Sequence, residues 1–217
     1  MSGFFNLPSD LQHSWSGLVA LHLREALLPV LAGLLIALPA AQLCVRFRWI
    51  YPPVLGITTV LYAIPSLAFF VVLIDYFGQS ETTVMVPLAL YSLVVLVPSI
   101  VDGVRSVPPE TLAAAQAMGF GAVRRYFQVQ LPIAVPAIIA GLRVATVSSI
   151  SLVSVGMLIG NQGALGNMLY AAQTYDRPAL AVNAVLTIGV LGMLADAALV
   201  ALRLLLTPWM PRKGVRR

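Results

Sequence analysis

Residues 82–101 read TTVMVPLALYSLVVLVPSIV, a stretch of twenty residues without a charged side chain. An α-helix rises 1.5 Å per residue, so about 20 apolar residues cross the roughly 30 Å hydrocarbon core of a bilayer. The core of a soluble protein would instead alternate with polar faces. The stretch therefore predicts a transmembrane helix.

Four further stretches are of similar length and predominantly apolar, namely residues 26–45, 54–74, 129–149 and 179–202, of which the last two contain one charged residue each. The whole chain is 59% hydrophobic and 10% charged, whereas roughly a quarter of the residues of a soluble domain are charged. We therefore predict an all-α, polytopic membrane protein with five transmembrane helices, in which residues 21–206 form the transmembrane domain.

The net charge of +5 follows from membrane topology and does not indicate nucleic-acid binding. Lys and Arg concentrate in cytoplasmic loops, and alternating sides for five spans predicts the N-terminus outside and the C-terminus in the cytoplasm. Residues 1–20 then form an extracytoplasmic or interfacial segment, and residues 207–217 form a basic cytoplasmic tail in a protein of the cell membrane. The basic residues on the cytoplasmic side, ten of thirteen, are Arg46, Arg48, Arg105, Arg124, Arg125, Arg203, Arg212, Lys213, Arg216 and Arg217.

Catalytic and metal-binding residues are scarce. Cys44 is the only cysteine, and His13 and His22 are the only histidines, so we expect neither a disulfide framework nor a metal site. The chain contains no Gly-x-x-x-x-Gly-Lys-Ser/Thr phosphate-binding loop. We therefore expect no enzyme activity and no cofactor on this chain, and a membrane-embedded enzyme is disfavoured.

Two connecting segments are too long for simple turns. Residues 102–132 are cytoplasmic, and the Pro108-Pro109 pair ends one helix before a stretch of strong helix formers at residues 112–118. We predict a short helix there. Residues 156–177 lie outside and carry glycines at 156, 160, 163 and 166. These glycines, with Leu158, Met168 and Leu169, favour a partly membrane-embedded element over a flexible loop.

The cytoplasmic segment resembles the EAA loop of ABC importer permeases, which has a Glu-Ala-Ala triplet, a following glycine and an Ile-x-Leu-Pro ending. Val129 is a conservative replacement in that ending. Ala113 departs from the pattern because it replaces the usual glutamate, and Glu110 lies one helical turn earlier. The positions that match in register, and are therefore expected to couple to an ATPase, are Ala114, Ala115, Gly119, Leu131 and Pro132.

The resemblance implies a type I ABC importer (MetI-like) fold whose short cytoplasmic helix is a coupling helix. It also implies three protein partners: a cytoplasmic ABC ATPase that binds ATP and Mg²⁺, an extracytoplasmic substrate-binding protein, and a second permease subunit, identical or merely similar. An amphipathic helix lying on the membrane is the simpler alternative, but it does not explain the spacing to Leu131 and Pro132.

Residues 63–68, the Gly141-Leu142-Arg143 triplet and the Gly163–Gly166 segment are similar to one branch of these permeases. That branch imports quaternary-amine osmoprotectants, namely glycine betaine, choline, carnitine or proline betaine. Import of an amino acid such as methionine, or of another betaine-like molecule such as ergothioneine, stays open. A non-transporting membrane anchor or a channel is the alternative from a different class.

Several residues within the spans are candidates for the translocation path. Pro65 removes a backbone hydrogen bond inside the second span, which suits a gate. Ser66 and Ser149, together with other serines of the fourth span, could line the path or serve as packing contacts between helices. Aromatic side chains could attract a quaternary ammonium through cation–π interactions, although packing and lipid anchoring are the commoner roles. These aromatics are Tyr62, Phe69, Phe70, Tyr91 and Tyr170.

Arg143 and Asp196 lie at comparable depths in the fourth and fifth predicted spans. A charge near the bilayer centre costs several kcal/mol unless it is paired or hydrated. We therefore predict an intramembrane ion pair between them. A structural role is favoured over a substrate role, because an arginine on the path would repel a cationic substrate.

Overall fold

A computed structural model describes residues 14–160 and 164–210. The expectations for the first part of the N-terminal segment, for Gly163 and for the basic residues of the C-terminal tail concern residues outside these two ranges. Nine α-helices are described, which in chain order are α1 (Trp15–Arg46), α2 (Tyr51–Ala63), α3 (Ser66–Phe77), α4 (Glu81–Arg105), α5 (Pro109–Ala117), α6 (Ala122–Arg125), α7 (Leu131–Val153), α8 (Gly166–Thr174) and α9 (Pro178–Leu206).

Three short segments connect these helices. Arg48–Ile50 and Ser154–Ile159 are 3₁₀ turns, and Tyr126–Gln130 is a π-helical turn that leads without a break into α7. Within the described residues, four helical segments are long and apolar enough to cross a bilayer, and the bent pair α2 and α3 provides a fifth if it counts as one span. The prediction of an all-α protein with about five spans is confirmed.

Helix α1 begins well before the predicted span. The prediction started the span too late because charged residues interrupt the apolar run within the helix. Ser14 accepts a hydrogen bond from the Gly17 amide at 3.3 Å and caps the helix. The fold then buries two polar residues that the sequence placed outside the span: His22 and Glu25 are both fully shielded from solvent. His22 Nε2 lies 2.9 Å from the carbonyl oxygen of Ile150, which ties α1 to the end of α7.

Helix α4 is the centre of the bundle, since it packs against α1 and α7 along most of its length and also contacts α2 and α3. Leu96 and Ile100 are completely buried in the core that these helices share. Small residues allow the close approach: a Cβ added to Gly141 of α7 would lie 2.6 Å from the Ser99 hydroxyl of α4. Helices in lipid associate through such close packing.

Partial membrane embedding of the outer connection, residues 156–177, stays a prediction, and its described residues pack against the bundle. Helix α8 lies against the protein, with Leu165 and Met168 in one buried cluster together with Leu18 of α1 and Leu180 of α9. Of the apolar side chains that suggested embedding, only Leu158 is largely exposed. Contacts within the protein therefore account for the apolar character of this segment.

Candidate functional site

The short helix α5 is built from residues that define both of its ends. Pro109 occupies the first turn, where a backbone N–H has no partner within the helix, and Glu110 complements the positive end of the helix dipole. The amides of Thr111 and Leu112 bond to the carbonyl oxygen of Pro108 at 3.1 and 3.3 Å. The predicted cytoplasmic helix is therefore present.

Gly119 ends α5 in the left-handed conformation expected from the sequence. Its φ is +80°, a value that residues with a side chain rarely adopt. The Phe120 amide bonds to the Ala115 carbonyl at 3.0 Å, and the Gly119 amide bonds to the Gln116 carbonyl at 2.9 Å. These two bonds form a Schellman motif, which stops the helix abruptly and exposes its end.

The predicted coupling residues do not all lie on one surface. Ala114 and Gly119 are exposed, whereas Ala115 is buried against its own chain. Glu110, Ala114 and Met118 recur every four residues and are all exposed, so they share one face of α5. The Met118 side chain is 68% exposed. Sequence reasoning missed Met118, although an apolar side chain beside a helix-ending glycine is a signal that could have identified it.

Side-chain contacts and the short helix α6 join α5 to the transmembrane bundle. Arg125 donates to the Gln116 side chain at 3.3 Å, and Arg124 donates to Gln128 at 2.8 Å while its guanidinium lies 4.1 Å from the centre of the Phe120 ring. Leu131 and Pro132, the end of the EAA-like pattern, form the first turn of α7 and are partly buried. Movement of α5 would therefore be transmitted to α7.

Helix α7 presents one face that its neighbours leave open. Val144, Val147, Ser148 and Ser151 follow one another at helical spacing and are all exposed. Polar groups that face hydrocarbon are costly, and they normally point into the bundle interior or a water-filled cavity. The hydroxyls on this face therefore favour a path or a subunit contact over contact with lipid tails.

Arg143 and Asp196 meet beside this open face. Arg143 Nε donates to Asp196 Oδ1 at 2.6 Å, and Arg143 Nη2 donates to Oδ2 at 2.8 Å, so the pair is bidentate. Asp196 also lines a cavity of about 720 Å³ between α7 and α9. The structure thus places the two residues together at the edge of this cavity.

The second span is broken, not merely kinked, at Ile64 and Pro65. The two halves, Arg48–Ala63 and Ser66–Phe77, meet at 92°. Tyr91 of α4 donates its hydroxyl to the Ile64 carbonyl oxygen at 2.8 Å and satisfies one backbone group at the break. Pro65 is exposed, and Ser66 begins α3. The candidate gate residues therefore lie at a hinge between two helices.

Ser149, the third candidate for the gate or pathway, lies apart from Pro65 and Ser66. It is buried, and its hydroxyl donates to the Ala26 carbonyl oxygen of α1 at 2.8 Å. This bond is a packing contact between helices, one of the two roles considered for the serines. Its neighbours Ser148 and Ser151 lie on the open face instead, because successive helical residues point in different directions. The structure thus offers Ser148 and Ser151, more than Ser149, to the space beside α7.

A second cavity of about 400 Å³ lies between α2, α4 and α7 and is lined by Tyr62, Tyr91, Ser148 and Ser151 among others.

The described ranges contain no candidate metal site, since no group of three or more His, Cys, Asp or Glu side chains within them could hold an ion. The site consists of an exposed cytoplasmic helix, a broken span and an open polar face.

These features define a multi-pass membrane protein whose bundle is joined to an exposed cytoplasmic helix, which is the plan of a transporter's membrane subunit. The chain belongs to the family of binding-protein-dependent transport system inner membrane components, whose model matches residues 30–211. Relatives that resemble it over most of their length are named as permease proteins.

Two curated relatives align with most of the chain. It is 32% identical to the osmoprotectant import permease protein OsmW of Salmonella typhimurium over 90% of this chain and 91% of the relative. It is 26% identical to the choline transport system permease protein OpuBB of Bacillus subtilis over 86% of each. The chain thus spans nearly the full length of both permeases.

Among solved structures, a chain of the MetNI methionine ABC transporter in an inward-facing conformation superimposes with a TM-score of 0.77. The match covers 88% of this chain and 97% of that chain at 18% identity. At this identity the likeness concerns the fold, and it confirms the expected MetI-like architecture.

Proposed function

We propose that this chain is the transmembrane permease subunit of an ATP-driven importer that moves a quaternary-amine osmoprotectant across the cytoplasmic membrane. The substrate is glycine betaine, choline, carnitine or proline betaine. The single observation that carries the transport mechanism is the exposed helix α5, ended by Gly119 and joined through α6 to α7. The substrate class rests on the relatives named for osmoprotectant and choline transport.

The helix α5 docks in a cleft of a separate cytoplasmic ABC ATPase, which binds ATP and Mg²⁺. Its exposed face of Glu110, Ala114 and Met118 supplies a charge, a small residue for close approach and an apolar contact. Glu110 takes the place of the glutamate that the EAA pattern has at the position of Ala113. When the ATPase closes, α5 moves and α7 moves with it, because Arg125 of α6 bonds to Gln116 of α5, and Arg124 bonds to Gln128 in the π-helical turn that leads into α7.

The complex contains two permease subunits, because one bundle of about five spans leaves the face of α7 open. The second subunit is this chain or a similar one, related by a twofold or pseudo-twofold axis. An extracytoplasmic binding protein delivers the substrate. The N-terminus lies outside and the C-terminus lies in the cytoplasm, as the distribution of basic residues favours.

Import of an amino acid such as methionine is the second candidate, favoured only by the likeness of the fold to the methionine transporter. A non-transporting anchor or a channel is less well supported, since neither needs an exposed helix linked to the bundle.

Uptake of radiolabelled glycine betaine tests the proposal in cells that lack their own osmoprotectant importers. The cells express this chain with its ATPase and binding protein, and a Gly119→Asp variant is the control. We expect cells with the parent chain to take up glycine betaine, and excess unlabelled choline to reduce that uptake. Cells with the Gly119→Asp variant should show no uptake. Uptake of methionine in place of glycine betaine, with the complex assembled, would support the second candidate.

A further inference from the structure

The cavity between α2, α4 and α7 has an aromatic corner. The rings of Tyr62 and Tyr91 have centroids 6.4 Å apart and an interplanar angle of 85°. The ring of Phe69 lies 5.8 Å from that of Tyr91 at 75°. Edge-to-face rings at such distances form a stable pair. Two perpendicular rings also border one volume from two directions, which is the geometry of a partial aromatic cage.

The hydroxyl of Tyr91 fixes the position of its ring in this corner. Its hydroxyl donates to the Ile64 carbonyl oxygen at the break between α2 and α3, and its side chain is buried. Tyr62, by contrast, is 66% exposed and lines the open side of the cavity. Tyr91 is therefore held by burial and a hydrogen bond, whereas Tyr62 belongs to α2, the first half of the broken span.

The remaining lining is neutral and partly hydroxylated. No charged residue borders this cavity within the described part of the chain, whose polar lining consists of the two tyrosines and the serines Ser92, Ser148, Ser149 and Ser151. The Ser92 and Ser149 hydroxyls donate to backbone carbonyls of α4 and α1. The Ser148 and Ser151 hydroxyls form no hydrogen bond with another described residue, and both serines are exposed on the open face of α7. They can donate to a carboxylate or an alcohol.

The size and setting fit a small organic cation or zwitterion. A volume of about 400 Å³ falls within the roughly 300–1,000 Å³ typical of small-molecule sites. A quaternary ammonium has no N–H to donate, so aromatic faces attract it better than hydrogen-bond acceptors do. The Arg143 charge, which would repel a cation, is neutralised by its two bonds to Asp196.

We propose that the cavity bordered by Tyr62, Tyr91, Ser148 and Ser151 is a substrate site within the membrane, where the two rings bind the quaternary ammonium and the serine hydroxyls bind the substrate's oxygen. The inference rests on the proposed function, since it names the place where that substrate binds this chain. It gives the permease its own selectivity for the cationic group, beyond that of a binding protein.

Equilibrium binding of radiolabelled choline tests the site in the purified permease and ATPase complex, without nucleotide or binding protein, in lipid nanodiscs. A competitor in which a tert-butyl group replaces the trimethylammonium group of choline has the same shape without the charge. We expect choline to bind and the uncharged competitor to bind about tenfold more weakly, the ratio for a cation–π contribution of about 1.4 kcal/mol.

Variants of the exposed ring separate binding from folding. Tyr62→Phe keeps the ring and should retain choline affinity, whereas Tyr62→Leu should lower it about tenfold. Tyr76→Leu is the matched control, because Tyr76 is also an exposed tyrosine, at 77%, and lies on α3 outside this cavity. The choline affinity of the Tyr76→Leu complex should equal that of the parent complex.

Equal choline affinity in the parent and Tyr62→Leu complexes would overturn the site, and so would an uncharged competitor that binds as tightly as choline. Absence of choline binding in a complex that imports glycine betaine would overturn the site and leave the proposed function intact. Absence of import by the assembled complex with its binding protein would instead remove the proposed function itself.

Discussion

Arg143 of α7 and Asp196 of α9 are joined by two parallel hydrogen bonds of 2.6 and 2.8 Å, beside the open face of the bundle. The long helix α9 also packs against α7 and α8, and Leu180 near its start lies in a buried cluster with Leu18 of α1. Most of the side chains of α9 are exposed. The ion pair therefore adds a directional polar contact to the packing of α9 against α7, at the edge of the cavity between them.

Replacing either member alone should damage the protein, because a single charge would be left in an apolar setting. We expect Arg143→Gln and Asp196→Asn each to lower the melting temperature of the detergent-purified protein and to reduce uptake. The exchange variant, Arg143→Asp with Asp196→Arg, should recover part of both. Single variants that melt and transport like the parent would refute the structural role.

Gly119 should be sensitive to a change as small as one methyl group. Its φ of +80° makes a side chain unfavourable by about 1–2 kcal/mol, although nothing lies within 4 Å of the added Cβ. We expect Gly119→Ala to reduce ATP-dependent uptake several-fold in a protein that still folds. Radiolabelled uptake at matched membrane expression measures this.

Gly121 provides the control for that experiment. It also has open space around an added Cβ, but its φ is −63°, which alanine adopts readily. Gly121→Ala should therefore transport like the parent. If both variants lose the same activity, the left-handed end of α5 is not what matters.

Tyr91→Phe should weaken the hinge between α2 and α3 without removing the ring. The change leaves the Ile64 carbonyl without the 2.8 Å bond that it accepts, at a cost of about 1 kcal/mol. For a chain of this size the melting temperature should fall by roughly 2–4 °C. Tyr76→Phe, on an exposed side chain, should leave it unchanged, and an equal fall in both would exclude the Ile64 bond as the cause.

The contact of α7 with α4 should not tolerate an added methyl group at Gly141. The new Cβ would lie 2.6 Å from the Ser99 hydroxyl and 2.7 Å from the Ser99 Cβ, and overpacking of this kind costs typically 1–3 kcal/mol. Gly189→Ala in α9 meets no atom within 4 Å and should be neutral or stabilising by up to about 1 kcal/mol. Thermal melting distinguishes the two, and equal melting temperatures would argue against the close contact.

The sequence predicts the spans well because a continuous apolar run has few other solutions in lipid. It misplaces the start of α1, since Arg24 and Glu25 interrupt the run. In the fold Arg24 pairs with Glu81 of α4, and Glu25 is buried. Tertiary partners that are distant in sequence make these charges acceptable, and hydropathy alone contains no information about them.

The candidate site was only partly predictable for the same reason. Pro65 predicts a break but not its angle of 92°, nor that Tyr91 would satisfy the Ile64 carbonyl. On a helix that is apolar on most sides, the periodicity of apolar residues does not show which serine faces a neighbouring helix. The buried Ser149 could therefore not be distinguished from the exposed Ser148 and Ser151. Gly119 was better predicted, because its role depends on local backbone geometry.

In the proposed mechanism, ATP hydrolysis by a partner drives a quaternary-amine solute inward through this chain by way of α5. Accumulation of radiolabelled glycine betaine in proteoliposomes, with the purified complex and its loaded binding protein, tests it most directly. We expect accumulation with ATP, none with ADP, and none for Gly119→Asp in an assembled complex. Accumulation that is the same with ATP and ADP, or unchanged in the Gly119→Asp complex, would contradict it.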